Sequence, residues 1–107
     1  MSKFTTCLNK GFRIEFENGI EISVQWGVDN YCSRKNDGDW KDPGKSEFWE
    51  SSTAEVAIFH NNKLIGMDKN GDEQVRGWQS STEVADLITK CSIARNIDHL
   101  HQMLNRK

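Results

Sequence analysis

Long apolar runs are missing from this sequence. Nothing in its 107 residues approaches the roughly 18 consecutive apolar residues that a membrane span requires, so no membrane segment is expected. Charge of one sign is missing too. Fourteen basic residues stand against 16 acidic ones, for a net charge of −2, and the isoelectric point near 5.9 gives no basic footprint for nucleic acid. Cysteine is scarce: Cys7, Cys32 and Cys91 are far apart, odd in number and never arranged as CxxC. That excludes a zinc knuckle or a thioredoxin-type motif, and it favours a reducing compartment. The N-terminal stretch has no apolar segment of the secretory type, so a cytosolic protein is expected. His60, His99 and His101 have no ligand spacing, and no phosphate-cradling glycine loop is present. Asp68-Lys-Asn-Gly-Asp-Glu73 opens like a calcium loop. Its twelfth position is Gln79 instead of a bidentate glutamate, so it reads as a turn. The expectation is a non-enzymatic protein with no catalytic residues, no metal and no cofactor.

What is present is alternation. Phe12, Ile14 and Phe16, then Ile20, Ile22, Val24 and Trp26, alternate with polar residues and read as a β-hairpin over 11–26 with one wet face. Parity selects the turn. A two-residue Asn18-Gly19 loop would put Ile22 opposite Glu15. A three-residue loop, Glu17-Asn18-Gly19, pairs Phe16 with Ile20, Ile14 with Ile22 and Phe12 with Val24. Gly19 is then expected in the left-handed region. Residues 53–60 read as a further strand, with Ala54, Val56 and Ile58 on one face. Asn61-Asn62 is a turn of residues that tolerate positive φ, Lys63–Met67 a returning strand, and Gln74–Arg76 a short last strand, so that 53–76 forms a second sheet unit.

Ser80-Ser-Thr-Glu83 is a capping box that opens a helical C-terminus over 81–105. Its first stripe is Val84, Leu87, Ile88 and Cys91. A second stripe, Ile93, Ile97, Leu100 and Leu104, points about 180° away on a continuous helix. Either the chain breaks near Ser92 and a second helix packs back, or one long helix presents this stripe to a partner chain as a homodimer interface. Between hairpin and third strand lies an aperiodic segment, 27–52, that holds Tyr31, Trp40, Phe48 and Trp49. Aromatics in a long loop mark a recognition surface or a loop that completes a small core. Asn30, Tyr31, Arg34, Trp40 and Trp49 are its candidate binding residues, with Arg34 able to fork onto a carboxylate or phosphate and Tyr31 to stack.

Three segments carry a resemblance: Phe16-Glu-Asn-Gly-Ile-Glu-Ile-Ser-Val-Gln-Trp-Gly-Val-Asp-Asn-Tyr-Cys32, Ala54-Glu-Val-Ala57, and Val75-Arg-Gly-Trp-Gln-Ser-Ser-Thr-Glu-Val84. Together they resemble a set of small uncharacterised proteins of tailed bacteriophages, over roughly residues 12–88. The chain departs from that pattern at Thr82, where a glutamate would stand. The resemblance implies a phage origin and action in the cytoplasm of a bacterial host, and it carries over no functional residue.

The sequence therefore predicts one α+β domain over 1–107: an antiparallel sheet of four to five strands with a capped C-terminal helix across one face, followed by an extension or a second helix. The function it suggests is binding of a host protein, to inhibit a defence system or a host enzyme. The alternative is sequestration of a small ligand such as a nucleotide signal.

Overall fold

The computed structural model describes residues 2–6, 11–26, 51–68 and 70–105. The hairpin over 11–26 forms with the register that parity demands. Strand β2 (Gly11–Glu15) pairs with β3 (Ile20–Gln25), placing Phe12 opposite Val24 and Ile14 opposite Ile22. The Phe16 N–H donates to Ile20 O and the Gly19 N–H to Phe16 O, both at 2.9 Å. Gly19 takes φ +84°, a conformation that costs an L-residue about 1–2 kcal/mol.

Strand β4 (Thr53–His60) pairs antiparallel with β3 and turns through Asn61 and Asn62, at φ +52° and +64°, into β5 (Lys63–Ile65). Two positive φ values in a two-residue loop match the twist of the flanking strands. The last strand, β6 (Arg76–Ser80), lies further along the chain than Gln74–Arg76, and it pairs with the first half of β4. A further strand, β1 (Lys3–Thr6), pairs with β2 at the opposite edge. The sheet thus has six strands in the order β1-β2-β3-β4-β5, with β6 beside β4. β1 was not foreseen because its four residues show no burial contrast: all are exposed, and its place is set by β2 alone.

The capping box at Ser80 is formed. The Glu83 N–H donates to Ser80 Oγ at 3.2 Å, and the Ser80 N–H donates to Glu83 Oε1 at 2.9 Å. Helix α1 (Ser81–Ile93) lays Val84, Leu87 and Cys91 on Ile20, Ile22, Val24, Val56 and Ile58. The chain then breaks over Ala94–Asn96, and Asn96 caps α2 (Ile97–Leu104) by accepting from the His99 N–H at 2.8 Å. Two helices resolve the inverted pattern. The turn between them swings the second stripe back, so Leu100 is fully buried and Ile97, Met103 and Leu104 pack against the same core. His101 Nε2 lies 2.7 Å from Gly66 O, and Asn105 Nδ2 donates to Met67 O at 3.2 Å, which docks α2 on the β5–β6 connection.

Candidate functional site

Strand β6 runs into α1 with no intervening loop, because Ser80 ends the strand and caps the helix. The first turns of α1 therefore start at the end of the sheet remote from the β2–β3 turn. At this end the residues facing each other are small: Ser81 and Ala85 on the helix, Ala54 on the sheet. To one side stand large ones, Phe12 and Trp26, whose rings meet edge to face with centroids 6.1 Å apart and planes at 71°. Such a pair adds about 0.5–1.5 kcal/mol beyond its buried area and fixes the wall. Small residues opposite a rigid aromatic wall leave a cleft of about 280 Å³ between helix and sheet, completed by Val24, Val84 and Ile88.

Two of the polar side chains that line the cleft are engaged within the chain. Ser51 Oγ donates to Thr53 O at 2.6 Å, and Gln79 Nε2 donates to Gly77 O at 3.1 Å. Among the described residues no ionisable side chain lines it. General acid–base catalysis draws on such groups. The cleft is largely apolar over its described lining. Its volume falls at the foot of the range of about 300–1,000 Å³ typical of small-molecule sites and suits one inserted side chain.

The ionisable groups that depart from ordinary behaviour have structural work. Burial pushes the Cys91 thiol up to about 12, so it behaves as a small apolar residue of the core, not as a nucleophile. Asp68 is held below the usual carboxylate range, first by the Asp72 N–H that donates to it at 2.5 Å and also by the Glu73 N–H. It organises the turn that its sequence resembles. Glu83 is lowered by the Ser80 backbone N–H first and then by the Ser80 hydroxyl. On the sheet face away from the helices, Arg13 pairs with Glu21 at 2.5 Å and lies 4.4 Å from the Phe59 ring centroid. This arrangement joins three strands and neutralises one of two directly opposed carboxylates, Glu15 and Glu21.

Asn30, Tyr31, Arg34, Trp40 and Trp49 lie outside the described residues, as do Cys7 and Cys32. The segment that carries the first five leaves the described structure after Trp26 and re-enters at Ser51, and both of these residues line the cleft. Of the helical stripe, Leu100 is fully buried and Ile97 and Leu104 are packed on the core; Ile93, at the end of α1, is 60 % exposed. α2 turns Ile97, Leu100 and Leu104 of the stripe inward onto this chain's own core and leaves Ile93 outside it. The cleft itself was missed by sequence reasoning. Its one signal was the pair of small residues, Ser81 and Ala85, on a helix otherwise amphipathic.

A further residue was also missed. In β6 the register slips between Ala54 and Val56, so Gly77 and Trp78 together face Glu55. Trp78 takes φ +51° and is 54 % exposed. A bulky residue in the left-handed region is rare, and such strain persists only where the surrounding pairing imposes it. No family model, curated protein or solved structure matches the chain.

Proposed function

We propose that this protein is a non-enzymatic binding protein that holds another protein by one apolar side chain inserted between α1 and the sheet. The observation that supports this reading is the cleft: about 280 Å³, walled by Phe12, Trp26 and Ile88, with no ionisable group among the described residues of its lining. Burying a leucine- or phenylalanine-sized side chain contributes about 1.5–3 kcal/mol, the scale of an interface anchor. The resemblance to tailed-phage proteins makes a bacterial host protein the partner, met in the host cytoplasm, with inhibition of a defence system or a host enzyme as the consequence. Nucleotide sequestration is less well supported. Among the described residues the cleft lining supplies no cation to pair with a phosphate.

Ala85 offers the test. It is exposed on α1 yet lines the cleft, so Ala85→Phe fills the space without disturbing the core. Full-length protein is used to capture partners from bacterial lysate, and the captured protein is purified and titrated. The reading predicts at least a tenfold weaker affinity for Ala85→Phe, about 1.4 kcal/mol, with an unchanged melting temperature. Equal affinity for both forms rejects the cleft as the contact. A thermal-shift screen with nucleotides is expected to show no stabilisation, whereas a ligand at about 100 times its dissociation constant would add about 2.7 kcal/mol.

A further inference from the structure

The helix-side face of the sheet contains one continuous apolar row. Ile65 stands opposite Ile58, Ile58 opposite Ile22, Ile22 opposite Ile14, and Ile14 opposite Phe4. The row crosses five strands. Ile58 and Ile22 are fully buried, Ile14 and Ile65 partly so, and Phe4 at the end is 83 % exposed. The core row therefore runs out to the edge of the sheet and stops there uncovered.

Strand β1 also shows few of the devices that protect a sheet edge. Its register with β2 is regular over four successive pairs, so no bulge turns it away. It contains no proline, and its one charge is Lys3. Among the described residues it is paired on one side only. Such an edge is a template for another strand.

We propose that β1 pairs antiparallel with β1 of a second copy of this chain, about a two-fold axis perpendicular to the sheet at Phe4. The pleat restricts the register, because residues directly opposite must share a face. Centring the axis on Phe4 sets Phe4 against its own copy and Lys3 against Thr5 in both directions. The apolar row then continues into the second molecule through an aromatic cross-strand pair. No like charges are opposed, and the two sheets join into one. The contact is isologous, so it closes as a dimer and does not propagate. A four-residue strand and one aromatic pair bury less than the roughly 1,200–2,000 Å² of a standard interface, so the dimer is weak and forms at high protein concentration.

Light scattering of the full chain over a concentration series reads this directly. The expected mass rises from 12.3 kDa toward twice that value. Phe4→Lys stays monomeric over the same series and keeps its melting temperature at low concentration, because the Phe4 side chain lies outside the core. Ile93→Lys, which alters the exposed apolar residue at the end of α1, leaves the association unchanged. A wild-type chain that is monomeric throughout overturns the proposal. So does a dimer that survives Phe4→Lys or is lost with Ile93→Lys. None of these outcomes depends on a partner protein entering the cleft.

Discussion

Asn18 is one residue that ties together two distant parts of the chain. Its amide donates at 2.8 Å to both Cys91 O and Ala94 O, two of the carbonyls that the end of α1 leaves without helical partners, while its Oδ1 accepts from the Ile20 N–H at 2.9 Å. The β2–β3 turn is thus the C-terminal cap of a helix more than 70 residues later. Asn18→Ala is expected to lower the unfolding free energy by about 3 kcal/mol in urea titration, three net hydrogen bonds at about 1 kcal/mol each. Asn18→Asp should cost at least as much, since it replaces the donor by an anion at the negative end of the helix dipole. At Gly66 the constraint is contact: an added Cβ would lie 1.9 Å from Gly71 O. Gly66→Ala should therefore shift the loop that receives α2 and cost about 1–3 kcal/mol by the same measurement. Local residue chemistry was legible where a residue acts on its immediate neighbours. The Asn61-Asn62 turn, Gly19 at positive φ and the Ser80 cap all follow from the sequence for that reason. The second role of Asn18 was not legible, because its partners are distant, and neither was Trp78, whose φ is imposed by pairing with β4.

Among the elements, α2 is the one whose partner the sequence left open. The inverted stripe stated that the two helical segments face opposite ways; it did not state whether the second faces its own core or another molecule. The Asn96 cap and the docking of His101 and Asn105 on the β5–β6 connection decide for the core. Leu100→Ala should then lose about 2–5 kcal/mol of stability, the cost of a buried leucine with its cavity, whereas Ile93→Ala should change little. The strand over 53–60 was legible from its alternating face. β1 was not, being too short and too exposed to leave a pattern. Acid sensitivity belongs to this scale as well. Asp68 and Glu83 titrate below their ordinary values in the folded chain, so the stability they contribute is complete above the ordinary carboxylate range and is lost as pH falls through their folded values. Urea midpoints should fall below about pH 4. Glu83→Gln, which keeps the capping geometry, should show a shallower fall.

At the scale of the whole molecule, a small apolar inventory is divided between one core and the surface. Among the described residues the sheet and both helices consume most of it, including Ile97, Leu100 and Leu104 of the stripe that resembled an interface. Among the described residues, what is left over includes Phe4 at the free edge, the exposed Trp78 and Ile93, and the apolar cleft between α1 and the sheet. The cleft was illegible because it arises from the facing of Ala54 with Ser81 and Ala85 across elements, which no sequence period encodes. It lies where the chain leaves the described residues at Trp26 and re-enters them at Ser51. The most direct measurement is the affinity of a captured host protein for the wild-type chain and for Ala85→Phe, with melting temperatures compared in parallel. The account predicts at least a tenfold loss of affinity, about 1.4 kcal/mol, at equal stability. Equal affinities at equal stability would contradict it.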